Sequence, residues 1–289
     1  MEGLAVVGVV FALIVVGYFG VSAVLRRIPA PSLRLPTGAI PDAWHGIVEH
    51  NVPLARWLTS DERERLLRLV QLFLTEKHFE GCGGLTLTEE MKVTIAAEAC
   101  LLLLHLEGPC YPTLRTVLVY PHGFIPKRAR SPGTGEVAPP PVRLIGESWG
   151  AGVVVISWDD TLAGARNPDD GENVVLHEFA HQLDGEDGVT DGAPILPPSA
   201  LRTWGGVLSE EYERLRRDAA QDRRSALDEY GATNKAEFFA VATETFFEKP
   251  VQLEREHPAL YAQLQQFYRQ DPARRAPPPL PLPPPPAAP

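Results

Sequence analysis

Two histidines and one glutamate form the most chemically informative group in this sequence. His177, Glu178 and His181 lie in the run 172–184, which contains neither glycine nor proline and is therefore predicted to be helical. Residues four positions apart lie on one face of a helix, so the two imidazoles can bind a single metal ion. Zinc accepts such nitrogens, and a catalytic zinc site leaves one position for water. Glu178 lies close enough to reach that water, so the spacing predicts hydrolytic chemistry.

The alternative interpretation is an amphipathic helix in which two histidines share a face by chance. Six apolar residues accompany the motif and favour a buried helix, namely Val174, Val175, Leu176, Phe179, Ala180 and Leu183. Burial of two imidazoles and a carboxylate is costly unless these groups bind one another or a cation. That cost, together with a His-Glu-x-x-His pattern typical of zinc peptidases, favours a metal site.

The third metal ligand is not the one that metzincin peptidases use. Asp187 stands where their last ligand would be, but their pattern requires a glycine where this chain has Asp184. Their pattern also requires a methionine turn downstream, and the only methionines here are Met1 and Met91. A ligand from a later segment is therefore expected.

Two glutamates on a later predicted helix are the remaining candidates. Glu237 and Glu244 are seven residues apart, so both carboxylates lie on roughly one side of that helix. One of them could bind zinc while the other braces a ligand. Asn234 three residues before Glu237 also fits a capping box, in which case Glu237 would only help to start the helix. Spacing alone leaves these alternatives open.

Three segments of the chain resemble a known family. They read Val-Val-Val-Ile-Ser-Trp-Asp-Asp at 153–160, Leu-His-Glu-Phe-Ala-His-Gln-Leu-Asp at 176–184 and Tyr-Gly-Ala-Thr-Asn-Lys-Ala-Glu at 230–237, the last continuing to residue 250. Together they are similar to the zinc peptidases typified by Mlc titration factor A (MtfA), a family related to the catalytic domain of anthrax lethal factor. The resemblance extends over about residues 40–270.

The resemblance implies a role for each residue of the site. It implies one Zn²⁺ ion per chain and five functional residues, with His177, His181 and Glu237 as metal ligands and Glu178 and Tyr230 as catalytic residues. Glu178 would act as general base, and Tyr230 would steady the oxyanion. Either Asp184 or Glu244 could accept the free imidazole N–H of a ligand. The expected activity is that of an aminopeptidase-like, regulatory zinc peptidase acting on peptides or proteins.

A second function remains open at this stage. The family is associated with the glucose repressor Mlc, so the chain could instead be a non-catalytic, zinc-containing protein that sequesters such a transcriptional repressor. The sequence favours catalysis, because structural zinc sites use four protein ligands, usually including cysteine, whereas this pattern offers three ligands and a carboxylate base.

An apolar run precedes the region of resemblance. Residues 3–25 carry no charge, and as a helix they would be about 34 Å long, enough to cross a bilayer. Arg26 and Arg27 follow directly, which by the positive-inside rule predicts a cytoplasmic catalytic domain. The sequence therefore predicts a single-pass protein of the inner (cytoplasmic) membrane, bound to it through the N-terminal helix.

The rest of the chain divides by composition. We predict a transmembrane anchor at 1–28, a proline-rich linker at 29–41, a zincin-like peptidase domain at 42–271 and a disordered proline-rich tail at 272–289, where ten of eighteen residues are proline. The expected fold class is α+β and mainly helical, with a small sheet beside the His-Glu-x-x-His helix. Strands are predicted at 116–120 and 153–158 from their β-branched runs.

Charge and cysteine content exclude two further classes. The net charge of −10 and isoelectric point near 5.3 argue against direct binding of nucleic acid, which requires a basic surface. The three cysteines are odd in number and lack a Cys-x-x-Cys pair, so a framework of stable disulfides is not expected.

Overall fold

The structure is a computed structural model that describes residues 34–123, 152–167 and 170–275. The chain divides into two compact units, and every element named below belongs to the unit formed by Leu35–Leu106 and Cys110–Pro289. The other unit comprises Met1–Arg34 and Glu107–Pro109. Of that unit only residues 34 and 107–109 are described.

Helices dominate the described residues. They are α1 (Asp42–Asn51), α2 (Ser60–Glu76), α3 (Glu89–Leu102), α4 (Trp158–Arg166), α5 (Val174–Asp184), α6 (Pro198–Ala220), α7 (Lys235–Glu248), α8 (Pro250–Glu256), α9 (Pro258–Tyr268) and α10 (Pro272–Arg275). Short 3₁₀ helices lie at Pro53–Trp57, Gly185–Asp187 and Glu229–Ala232. The prediction of a mainly helical fold with a small sheet is confirmed.

Within the described part of the chain, the sheet has three parallel strands. In spatial order they are β1 (His78–Gly81), β2 (Thr116–Tyr120) and β3 (Val153–Ser157). Its β-branched residues alternate between faces, and the four valine and isoleucine side chains on the buried face of β2 and β3 are fully shielded. The predicted strand at 153–158 ends one residue early, because Ser157 caps α4 and Trp158 already belongs to that helix. Among the described residues, β3 forms one edge of the sheet.

Side-chain caps begin two of the helices that support the centre of the fold. Thr59 and Glu62 form a complete capping box at the start of α2, and the Thr88 side chain accepts a hydrogen bond at the start of α3. Helix α3 ends at Leu102, within the four consecutive leucines at 101–104. Both helices pack against one another and bury leucine, valine and alanine side chains.

The helix α5 lies at the centre of the packing. It packs against α7, α3 and β3, and its 11 residues include nine that are buried. Helices of 11 residues are marginal in isolation, so this one is stabilised by its tertiary contacts and by its cap. Because α5 and α7 pack directly together, any side chains on their facing surfaces are brought together from segments 60 residues apart in the chain.

The predicted location in the inner membrane is contradicted. None of the helices in the described ranges is both long enough and apolar enough to cross a bilayer. The predicted span at 3–25 lies outside the described residues.

The C-terminal boundary differs slightly from the sequence-based one. Helix α10 occupies Pro272–Arg275, the first four residues of the predicted proline-rich tail, and it buries Pro272 and Ala273. Tyr261 explains this placement, because its hydroxyl accepts the backbone N–H of Ala273 at 3.0 Å. Residues 276–289 lie outside the described part of the chain.

Candidate metal centre

The two histidines of α5 face the first turns of α7. His177 and His181 are one helical turn apart, and the His181 side chain is only 1% exposed. The helix begins at Asn173, whose side-chain oxygen accepts the backbone N–H groups of Val175 and Leu176. This cap fixes the first turn directly before the first histidine.

Three side-chain atoms converge between the two helices. The Nε2 atom of His177 lies 3.0 Å from Oε2 of Glu237 and 3.2 Å from Nε2 of His181, and His181 Nε2 lies 3.3 Å from the same glutamate oxygen. Zinc bound tetrahedrally at about 2.0–2.1 Å separates its ligand atoms by about 3.3–3.4 Å. The triangle therefore has nearly the size that such an ion requires, and these three residues are the group in the described chain that could hold a metal.

The position of Glu237 decides between its two sequence interpretations. Asn234 does cap α7, since its side chain accepts the Glu237 backbone N–H at 3.0 Å. The carboxylate of Glu237, however, contacts the two imidazoles. The backbone N–H of Glu237 thus takes part in the N-cap of α7, while its side chain is available as a metal ligand.

Glu244 braces the first histidine. One of its carboxylate oxygens lies 2.6 Å from Nδ1 of His177, and Glu244 is 6% exposed. An Nδ1–H donated to this carboxylate leaves the Nε2 lone pair of a neutral imidazole directed at Glu237 and His181. Of the two residues that the sequence offers for this contact, the geometry therefore selects Glu244.

The charges at the centre are strongly coupled. Burial acts to lower the pKa of His177, but attraction to Glu244 and hydrogen bonds to Glu237 and Glu244 raise it well above its ordinary value. Burial lowers the pKa of His181 to about 4. Burial opposes ionisation of Glu237, yet hydrogen bonds from the two histidines lower its pKa to about 2. Burial raises the pKa of Glu244, although His177 and the Asn173 N–H act to lower it. In the metal-free centre the neighbouring carboxyl groups therefore favour the protonated form of His177, a positive charge that a divalent cation could replace.

The two predicted catalytic residues flank this triangle. Glu178 is fully buried, and its negative charge contributes to the raised pKa of His177. Tyr230 belongs to the 3₁₀ helix Glu229–Ala232, and its ring centroid lies 6.0 Å from that of His177. Tyr230 is 37% exposed, and the side chains of His177 and Glu237 are 12% and 17% exposed, so the centre is partly accessible to solvent near this tyrosine.

Asp184 performs a different task from the one considered for it. Both of its carboxylate oxygens lie 2.9 Å from the backbone N–H of Gly192. A Cβ atom on Gly192, whose φ is +83°, would lie 2.5 Å from the carbonyl oxygen of Lys235, so only glycine fits there. Asp184 thus ties the end of α5 to a loop that lies against the start of α7. Asp187 lies apart from the triangle and binds the backbone of Val189.

We expect Asp184→Ala to destabilise the fold by about 2–3 kcal/mol, because it removes a buried charged acceptor of the Gly192 N–H. Since Asp184 makes no contact with the imidazoles among the described hydrogen bonds, zinc affinity of the folded protein should change little. Urea denaturation of the metal-free protein, followed by zinc titration, measures both quantities. A large loss of zinc affinity without loss of stability would contradict this assignment.

A family model of glucose-regulated metallo-peptidase M90 matches residues 27–269, which is most of the chain. The chain belongs to the M90 metallopeptidase family. Among its relatives, an uncharacterized protein, slr2042, from Synechocystis is 39% identical over 235 residues, covering 81% of this chain and 86% of its own length. The Mlc titration factor A proteins of Serratia proteamaculans and Yersinia pestis are each 32% identical, over 227 and 235 residues. The alignments cover 78% and 80% of this chain and 86% of each relative.

The M90 assignment agrees with the donor set of the centre. Two imidazole nitrogens and one carboxylate oxygen are ligands that catalytic zinc sites use, with one position left for water or substrate. The family resemblance stated from the sequence is confirmed. The family match over residues 27–269 and the geometry of the three-residue group both point to a metal site.

Proposed function

We propose that this protein is a zinc-dependent peptidase with a regulatory, aminopeptidase-like activity. The observation that carries the proposal is the triangle formed by His177, His181 and Glu237, whose sides of 3.0, 3.2 and 3.3 Å suit one zinc ion. Copper and nickel favour tetragonal arrangements, and calcium and magnesium favour all-oxygen shells, so this donor set favours zinc. A zincin-like fold is proposed on the same grounds.

When bound, zinc would supply Lewis acidity that activates a water molecule and polarises the scissile carbonyl group. Glu178 then takes a proton from the attacking water and delivers it to the departing amine. Glu178 is fully buried directly beside His177, so its carboxylate is held next to the centre and away from bulk solvent. His177 keeps its Nε2 lone pair aimed at the centre through the hydrogen bond to Glu244.

Tyr230 completes the proposed mechanism from the open side of the centre. Its hydroxyl would donate a hydrogen bond to the oxyanion that develops on the carbonyl oxygen of the substrate. The backbone N–H of Tyr230 binds Asp228 at 2.7 Å, and this contact fixes the start of its 3₁₀ helix. Gly231 packs closely against Leu215 and Val241, which restricts movement of the segment that carries the phenol.

A second function is supported by the names of the relatives. Several of them are called Mlc titration factor A, which suggests binding of a transcriptional repressor of the Mlc type. Such binding is compatible with catalysis, since a partner could engage the surface around the centre. The three-ligand donor set supports catalysis as the primary activity, because a purely structural zinc site uses four protein ligands.

Cleavage of a mixed peptide library tests the proposal. The zinc-loaded protein should release N-terminal residues from short peptides, lose this activity when a chelator removes the metal, and regain it when zinc is restored. Products should be identified by mass spectrometry, so that aminopeptidase and endopeptidase cleavage are distinguished. Absence of cleavage by a fully zinc-loaded protein, combined with tight binding of an Mlc-type repressor, would favour the binding function instead.

A further inference from the structure

One residue connects the start of α5 to the carboxylate that braces the first histidine. The backbone N–H of Asn173 donates to Oε2 of Glu244 at 2.6 Å. The other oxygen of Glu244 lies 2.6 Å from Nδ1 of His177. The side-chain oxygen of Asn173 meanwhile caps the helix on which His177 lies. Asn173 therefore supports both members of the Glu244–His177 pair. It binds the Glu244 carboxylate directly, and it caps the helix that carries His177.

The amide nitrogen of Asn173 reaches two further carboxyl groups. It donates to Oε1 of Glu248 at 3.1 Å and to Oε1 of Glu98 at 3.3 Å. Glu98 belongs to α3 and Glu248 to α7, while Asn173 begins α5, so the amide joins three helices. All three residues are at most 2% exposed. Glu98 and Glu248 are both distant in sequence from the His-Glu-x-x-His motif.

The buried cluster of Asn173, Glu98 and Glu248 is not an arrangement that stability alone would favour. The second carboxyl oxygens of Glu98 and Glu248 are buried without a hydrogen-bond partner among the described residues. Well-packed apolar side chains in place of such buried polar groups often leave a protein equally or more stable. Burial raises the pKa of Glu98 to about 8 and that of Glu248 to about 9, so both groups tend to be uncharged at neutral pH. Uncharged acids can hold the Asn173 amide without repelling the nearby Glu244.

We propose that Asn173, held by Glu98 and Glu248, is a positioning residue that sets the orientation of His177 through Glu244. The inference rests on the proposed zinc site and adds to it the residues that keep the ligand-bearing helices α5 and α7 in register. Asn173 lies at the N-terminal end of α5, where it meets the C-terminal half of α7. Glu237 lies in the first turn of α7, where it meets His177 and His181. The contacts of Asn173 and those of Glu237 therefore hold the two ends of α7 against α5.

Zinc affinity of purified metal-free protein tests this inference without reliance on activity. We expect Asn173→Ser to keep a side-chain oxygen as helix cap but to lose the amide donor, and to raise the zinc Kd by about 10–100-fold, as loss of supporting groups typically does. Competition with a chromophoric chelator measures the Kd. Asn51→Ser is the matched control, because Asn51 also donates a buried amide to α3, at Glu90 and Thr94, but lies in α1. Its zinc Kd should equal that of wild type.

Glu248→Leu separates positioning from simple structural support. If Glu248 has only a structural role, the Glu248→Leu variant should keep its zinc affinity and be equally or more stable, because leucine fills the site without unpaired oxygens. Positioning predicts weaker zinc binding even if the unfolding midpoint rises. Glu248→Gln retains a carbonyl oxygen for the Asn173 amide and should restore affinity close to wild type. Unchanged zinc affinity in both Asn173→Ser and Glu248→Leu would overturn the inference.

A double-mutant cycle identifies the route of the effect. If Asn173 acts through Glu244, Asn173→Ser should have little further effect on zinc affinity in a Glu244→Gln background. Fully additive losses would show that Asn173 does not act through Glu244 and would overturn the proposed route. Failure of wild-type protein to bind zinc at all would instead refute the proposed function, so the two failures are distinguishable.

Discussion

Glu178→Gln is expected to lower kcat/KM for peptide cleavage by at least about 10²–10⁴-fold, the range that positioned general bases typically contribute. Glutamine has the same shape but cannot accept the proton of the attacking water. Glu178 lies outside the triangle of candidate ligands, so the variant should still bind one zinc ion per chain. Steady-state cleavage of a peptide found in the library screen measures the loss, and metal analysis measures the zinc content.

Glu172→Gln is the matched control for this variant. Glu172 is an exposed glutamate six residues earlier, just before α5, and the same change there should leave both turnover and zinc content unaltered. The general-base assignment fails if Glu178→Gln retains wild-type turnover. If the variant loses its zinc, the missing metal explains the loss of activity, and a general base is not needed to account for it.

Glu237→Ala is expected to weaken zinc binding by more than the roughly 10–100-fold typical of supporting residues, and to remove peptidase activity with it. The carboxylate supplies one of three candidate ligand atoms, and its removal leaves only His177 and His181. The start of α7 should survive, since the Asn234 cap binds the Glu237 backbone and not its side chain. Zinc titration and urea denaturation of the metal-free variant measure the two effects separately.

Glu229→Ala provides the comparison for Glu237→Ala. Glu229 is an exposed glutamate beside Tyr230, so its removal takes away a nearby negative charge without removing a candidate ligand. If both variants lose similar affinity, the effect of Glu237 is one of general electrostatics. If Glu237→Ala binds zinc like wild type, the third ligand must be sought elsewhere.

The local parts of the centre were predictable from sequence because they depend on residues close together in the chain. The spacing of His177 and His181 fixes them on one helical face, and the Asn234–Glu237 pair marks a helix start. What spacing could not decide was whether Glu237 uses its carboxylate for the cap or for the metal. The structure separates these because backbone and side chain of Glu237 point to different partners.

The supporting residues could not be derived from sequence patterns. Glu98 lies within an apolar run of α3, where nothing in the spacing distinguishes a carboxyl that binds Asn173 from an exposed one. Asp184 and Glu244 were equally plausible braces for an imidazole, since the choice depends on how α5 and α7 cross. That crossing arises from packing between distant segments, which periodicity does not encode. The membrane location was inferred from the hydropathy of residues 3–25 and from the two arginines that follow them, and the described helices do not support it.

The central claim is that one cation is bound jointly by α5 and α7. Anomalous diffraction at the zinc absorption edge, from crystals of the zinc-loaded protein, tests it most directly. The account predicts a single strong peak at about 2.0–2.2 Å from Nε2 of His177, Nε2 of His181 and a carboxylate oxygen of Glu237. A peak ligated by other residues, or no peak between these helices in a protein that contains zinc, would contradict it.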